Sequence, residues 1–226
     1  MSSSPVELSV LEEIVRFPSP TPAPQALAHD GQYLWIGSWE THRVYALEPN
    51  QAKVVEETTA PGRPVGATVV GDELRFVCSE NGDADERFIR RFVPGHGFKT
   101  HDTVPCPDDT GSFLAYDGEA LWLSQRYNKR LLELDARHEV LATVDAGEEI
   151  IGMTWSGAGL YLSTWLGKER GGCHIAYLEP RAPQPVLRFV AQAPFVAVSL
   201  AWDGDRLWTN DFKQNEIVAF RIPESG

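Results

Sequence analysis

Five stretches decide the fold: HDGQYLWIG at 29–37, VVGDELRFV at 69–77, YDGEALWLS at 116–124, WSGAGLYLS at 155–163 and WDGDRLWTN at 202–210. They align on Gly31, Gly71, Gly118, Gly157 and Gly204, spaced 40, 47, 39 and 47 residues apart. Three residues after each glycine stands a leucine: Leu34, Leu74, Leu121, Leu160, Leu207. Trp35, Arg75, Trp122, Tyr161 and Trp208 come next. Glycine accepts the positive φ of a tight turn, so each stretch reads as two strands joined at the glycine, the second opening on the Leu-aromatic pair.

The residues before the turns are small. Ala28, Thr68, Ala115, Thr154 and Ala201 lie three positions upstream, and Ala26, Gly66, Phe113, Gly152 and Ser199 lie five upstream. A strand that is small in every repeat sits where backbones crowd. A third strand follows, marked by Val44/Leu47, Ile89/Phe92, Leu131/Leu134, Ile175/Leu178 and Ile217/Phe220. Its first apolar residue falls 13, 18, 13, 18 and 13 residues after the glycine, so repeats 2 and 4 carry five extra residues between their second and third strands. A fourth strand is readable in repeats 1 to 4, at Val54-Val55, Phe98 to Val104, Val140 to Val144 and Val186 to Val190. Repeat 5 lacks one. Ile14-Val15-Arg16-Phe17 matches Val186-Leu187-Arg188-Phe189 and is expected to supply it.

Four strands per repeat of about 40–47 residues resemble the β-propeller superfamily. The expected fold is all-β: a five-bladed β-propeller with four antiparallel strands per blade, its ring closed by the N-terminal strand completing the last blade. The single domain would span 1–226, with blades at about 20–60, 61–106, 107–146, 147–192 and 193–223 and the closing strand at 8–18. A β-sandwich is the alternative, but strands, offsets and the missing fourth strand agree independently on a ring.

Composition bounds the function. The chain has 226 residues, 42% of them hydrophobic, with seven Trp and a formal net charge of −12. That is enough apolar material for a core, which excludes a disordered chain. The negative field argues against nucleic acid or membrane surfaces as partners. Cys78, Cys106 and Cys173 are odd in number and lack zinc-site spacing. The start, Met-Ser-Ser-Ser-Pro-Val-Glu, lacks the basic and apolar runs of a secretory signal, and no run reaches a membrane span, so a cytoplasmic location is expected.

The propeller resemblance implies that ligands bind where second-to-third and fourth-to-first connections surround the channel mouth. The first set carries Trp39, Tyr127, Trp165 and Phe212 at equivalent offsets, with Glu40, Glu80, Arg126, Asn210 and Asp211. Aromatic rings stack on flat or sugar-like ligands. Carboxylates with an asparagine can hold a divalent cation such as calcium, or a carboxylate beside Arg126 can do acid–base work. Core capping by the aromatics and solvated loop charge are the competing readings. The turns at the glycines are short, so no pocket is expected on the opposite face. Arg87, Arg90 and Arg91 read as a surface patch.

PQALAHDGQYLWIGS at 24–38 and FLAYDGEALWLSQRYNKRLLELD at 113–135 resemble blades of the bacterial and plant type of glutaminyl-peptide cyclotransferase, a five-bladed propeller. Where that family places a glutamate this chain has Ile36, and where it has Asn-Glu this chain has Ser112-Phe113. Gluconolactonase-like propellers, which bind a divalent metal, and streptogramin-lyase-like propellers are more distant. The expected function is therefore binding of a small molecule or peptide end at the channel mouth. The alternative is a propeller enzyme: a cyclotransferase-like transferase, or a metal-dependent lactonase or lyase using Glu40, Glu80 or Asp211.

Overall fold

The computed structural model describes residues 8–81, 86–167 and 171–222. Five four-stranded antiparallel sheets form a ring of blades. Blade 1 is β2 (Pro24–His29), β3 (Leu34–Ser38), β4 (Arg43–Glu48) and β5 (Lys53–Thr59). Blade 2 is β6 (Arg63–Val70), β7 (Glu73–Glu80), β8 (Glu86–Val93) and β9 (Gly97–Pro105). Blade 3 is β10 (Leu114–Tyr116), β11 (Leu121–Gln125), β12 (Arg130–Leu134) and β13 (Val140–Asp145). Blade 4 is β14 (Ile150–Trp155), β15 (Leu160–Trp165), β16 (Cys173–Leu178) and β17 (Arg188–Ala193). Blade 5 takes β18 (Ala197–Trp202), β19 (Leu207–Asp211) and β20 (Glu216–Arg221) from the end of the chain and β1 (Glu12–Pro18) from its start.

The first strand of each blade is innermost. β2 packs on β6, β6 on β10, β10 on β14, β14 on β18, and β18 returns to β2. Closure is the antiparallel pairing of β1 with β20, from Glu12 opposite Arg221 to Pro18 opposite Glu216. It is fastened by Arg16, whose guanidinium lies 3.2 Å from Asp211 and 2.8 Å from Glu13 and also pairs with Glu216.

The small residues upstream of the turns are explained by crowding between inner strands. At Gly66 an added Cβ would collide with the Ser112 carbonyl oxygen and lie 2.7 Å from the Phe113 Cα, both in the next blade. Four of the five inner strands also carry a bulge, between Pro24 and Ala26, Pro64 and Gly66, Ile150 and Gly152, and Val198 and Leu200. Such a bulge kinks the strand and re-aims its side chain.

The turns fall into two kinds. In blades 1, 3 and 5 an aspartate precedes the glycine, and a tryptophan stands four residues after it. Asp30, Asp117 and Asp203 each accept the indole N–H of Trp35, Trp122 or Trp208, at 2.6, 2.9 and 2.7 Å. Their other oxygen accepts backbone N–H groups of the turn, such as Tyr33, Ala120 and Arg206. Burial pushes the Asp117 and Asp203 carboxyls up. The hydrogen bonds outweigh it and hold both below the usual carboxylate range. Blades 2 and 4 have Val70 and Ser156 before the glycine and Arg75 and Tyr161 after it. These are also the blades with the insertions. In blade 2 the extra residues lengthen the hairpin, giving two eight-residue strands.

The core lies between blades. Trp35, Phe76 and Phe92 fill the junction of blades 1 and 2, and Trp208, Ile36 and Leu27 that of blades 5 and 1. The fourth strand of blade 4 runs at Arg188–Ala193, two residues later than expected from Val186. Phe17 stands opposite Ile217, whereas Phe189 stands opposite Ala176 rather than Ile175, its counterpart. The match between β1 and β17 is thus slipped by one residue. Outer strands bury few side chains, so the hydrophobic pattern fixes their register weakly. Among the described residues no helix is long and apolar enough to cross a membrane.

Candidate functional site

The second-to-third connections of blades 1, 3 and 5 are four-residue turns, 39–42, 126–129 and 212–215, between the strands that fix them. Each ends on a residue with positive φ: His42, Lys129 and Asn215, at 54°, 53° and 54°. This shared turn raises the residue after the second strand toward the mouth. There Trp39, Arg87, Phe113, Arg126, Tyr127 and Phe212 enclose a cavity of about 180 Å³ with Gln25. Its residues come from blades 1, 2, 3 and 5, which places it at the mouth of the channel.

Arginines dominate the site, each set against an aromatic ring. The Arg63 guanidinium carbon lies 5.0 Å from the Trp39 ring centre, and that of Arg87 lies 6.0 Å from it. Arg126 lies 5.2 Å from Trp165 and 5.3 Å from Tyr127. Its Nε donates to Glu149 at 3.1 Å. Arg87 donates to the Gly111 carbonyl at 3.2 Å. Arg63 has no carboxylate partner among the described residues. Stacking holds the Arg63 guanidinium plane while leaving its N–H donors for an anion.

The structure thus brings Trp39, Arg126, Tyr127, Trp165 and Phe212 together at one mouth. None of the acids singled out lines the cavity. Glu40 is exposed on its turn. Glu80 is held by Arg90 through two hydrogen bonds, at 2.7 and 2.6 Å. Asp211, nearly fully buried, is the partner of Arg16 in the ring closure. Asn210 is fully buried, and its amide donates to the Gln25 carbonyl at 3.3 Å, tying blade 5 to blade 1. Its Oδ1 has no hydrogen-bond partner among the described residues. These donors do not fit a calcium site: the three acids belong to different blades, two are neutralised by arginines, and no three His, Cys, Asp or Glu cluster among the described residues.

Arg63, Arg87, Gln25 and Phe113 belong to the site without having been picked out for it. Arg87, read as part of a surface patch, faces Trp39. The signal lay in the pairing of arginines with rings on other loops, which has no fixed spacing. The glycine-turn face corrects a second expectation. Far from lacking pockets, it holds clefts of about 490 Å³ between blades 4 and 5 and about 470 Å³ between blades 2 and 3. An axial cavity of about 120 Å³ opens there too, beside Ala28, Thr68, Thr154 and Ala201. The turns are short, but neighbouring blades splay outward and leave the clefts between them.

No family model and no curated protein matches the sequence. Solved structures do. Glutaminyl cyclase of Myxococcus xanthus superposes with a TM-score of 0.71 at 12% identity, covering 95% of this chain and 98% of its own. The calcium-binding protein regucalcin of Agrobacterium tumefaciens gives 0.59 at 9% identity, covering 95% of each. The PQQ-bound aldose sugar dehydrogenase of Streptomyces coelicolor gives 0.56 at 11% identity, covering 98% and 100%. At these identities the likeness is one of fold, and the chain is a five-bladed β-propeller.

Proposed function

We propose that this propeller is a binding module whose mouth takes a small anionic ligand, a carboxylate carried on a flat group or on a peptide end. The observation that carries this reading is Arg63, stacked on Trp39 beside the cavity with no carboxylate of its own among the described residues. Arg87 and Arg126 line the same cavity. In a protein of net charge −12, Arg63 sets a positive charge at one mouth, where an anion is drawn in and held by charge-assisted hydrogen bonds. The exposed ring of Tyr127 supplies a stacking surface. A cavity of about 180 Å³ suits a ligand smaller than a drug. The alternative, a transferase like the glutaminyl cyclase, is supported by the shared fold alone. Glu40, Glu80 and Asp211 stand off the cavity. A cytoplasmic location belongs to the same proposal, supported by three buried cysteines that form no disulfide.

The test is a titration of the full chain with benzoate and with benzamide, its neutral counterpart, followed by tryptophan fluorescence. Benzoate is expected to bind at least about tenfold more tightly, and Arg63→Ala to remove most of the difference. Equal affinity for the two probes, or benzoate binding unaffected by Arg63→Ala, overturns the reading.

A further inference from the structure

The cleft between blades 4 and 5 on the glycine-turn face has a different chemistry. Tyr161 and Tyr177 project from β15 and β16, and Trp202 ends β18. Their rings form a corner rather than a flat stack. Tyr161 and Tyr177 lie 5.3 Å apart at 61°, Tyr161 and Trp202 5.8 Å apart at 38°. The corner opens into about 490 Å³. Glu179 and Asp205 stand on its rim, each with only a long, exposed ion pair among the described residues: Glu179 to Arg188 at 3.7 Å, Asp205 to Arg221 at 3.8 Å. The Tyr161 hydroxyl has no hydrogen-bond partner among the described residues.

The fold does not require this corner. The corresponding cleft between blades 2 and 3, of similar volume, is lined by Arg75, Arg91, Arg137, His101 and His138 with the acids Glu73 and Asp102, and by no Phe, Tyr or Trp. There Glu73 pairs with Arg91 and Arg75. In the 4–5 cleft the charged floor is replaced by π-faces, and the lining acids outnumber the basic residue, Arg188. That arginine already stacks on Tyr177, 5.2 Å from the ring centre. The cleft's own side chain therefore uses the site as a seat for a cation, and Tyr161 and Trp202 remain for a second one.

We infer that the 4–5 cleft binds a quaternary or alkylated ammonium group. The negative ring faces of Tyr161 and Trp202 receive the cation, and Glu179 and Asp205 compensate its charge from the rim. Aromatic faces attract such poorly hydrated cations well, because little water has to be stripped away. A neutral sugar would stack as well and donate its hydroxyls to the rim carboxylates, but it brings no positive charge for them to compensate. The protein's net charge of −12 favours cations over anions as ligands away from its arginine clusters. Burial pushes both phenols up from their ordinary range, so neither becomes a phenolate near neutral pH.

The experiment uses the full chain labelled with ¹⁵N and follows the Trp202 indole N–H during titration with choline at fixed ionic strength. The control is 3,3-dimethylbutan-1-ol, the neutral isostere. Choline is expected to shift the signal saturably and to bind about tenfold more tightly than the isostere. Tyr161→Leu should lose about the same factor. Glu179→Gln combined with Asp205→Asn, both at exposed positions, should weaken choline and leave the alcohol unchanged. Arg63→Ala, at the opposite mouth, should change nothing, which separates this inference from the anion reading. A parallel titration with a trimethyl-lysine peptide distinguishes a small cation, bound as tightly as the peptide or more so, from a protein tail, bound more tightly than choline. Equal binding of choline and its isostere overturns the proposal. So does the absence of saturation with both choline and the peptide, or an unchanged affinity in the Glu179/Asp205 double variant.

Discussion

Replacing Gly66 with alanine adds one methyl group at the tightest contact between inner strands. The new Cβ would stand 2.7 Å from the Phe113 Cα and closer still to the Ser112 carbonyl oxygen. Carbon pairs rest at about 3.5–4.0 Å, so β6 or the chain entering β10 must move by roughly 1 Å. Both obstacles are backbone, and neither can rotate away. Overpacking of this kind costs about 1–3 kcal/mol, and the backbone obstruction puts Gly66 near the top of that range. The φ of Gly66 lies outside the left-handed region, so alanine suffers no dihedral penalty there. It also gains about 0.4–1 kcal/mol from a less flexible unfolded chain. The net loss is then about 2 kcal/mol, which lowers the melting temperature of a chain this long by about 4–8 °C. Thermal melts by circular dichroism measure it. The control is Gly118→Ala: there φ is +100° and nothing lies within 4 Å, so only the dihedral cost acts. If Gly66→Ala melts with the parent protein, the inner strands are not packed as described, and small residues on them have another cause.

Two further outcomes follow from the ion pairs. Arg16→Met leaves the Asp211 carboxylate buried without its cation, at a cost of about 2 kcal/mol, since Arg16 is itself partly exposed. Urea unfolding should show the lower midpoint, and an unchanged midpoint would mean the clasp contributes nothing. Hydrogen bonds from Arg91, then from Arg75, hold the Glu73 carboxyl down to about 2, against 4.5 in the free side chain. A depressed carboxyl stabilises the fold above its unfolded value and loses that contribution as pH falls through its folded one. The parent protein should therefore lose melting temperature more steeply than Glu73→Gln between about pH 4.5 and 2. Parallel curves for the two would refute the assignment.

The ring was legible because its determinants are periodic. Gly31 to Gly204 fix the turns, the alternating offsets mark the two kinds of blade, and Ile14 to Phe17 announce the closing strand. The pairing of Asp30, Asp117 and Asp203 with the tryptophans five residues on was equally periodic and explains why the Leu-Trp pair recurs. Less was legible where the determinants are tertiary. Asp211 reads as a channel acid until Arg16, 195 residues away, is found against it. Glu80 reads as a candidate ligand until Arg90 appears on the neighbouring strand. The arginine–aromatic pairs of the mouth join loops of different blades. A sequence displays such residues singly, and only the closed ring shows which of them face each other.

The closure also sets how the protein answers to force. β1 and β20 run antiparallel, with Glu12 opposite Arg221, so the two ends of the ring leave from the same end of two neighbouring strands. Tension applied between those ends pulls across the ladder and not along it. Its hydrogen bonds then carry the load one pair at a time, beginning at Glu12 and Arg221 and ending at Pro18 and Glu216, and the Arg16–Asp211 contact becomes the last latch before blade 5 opens. A ring held together by its packed junctions would thus unzip at its termini when pulled there, while tension applied between two of its inner strands would have to shear whole blades apart.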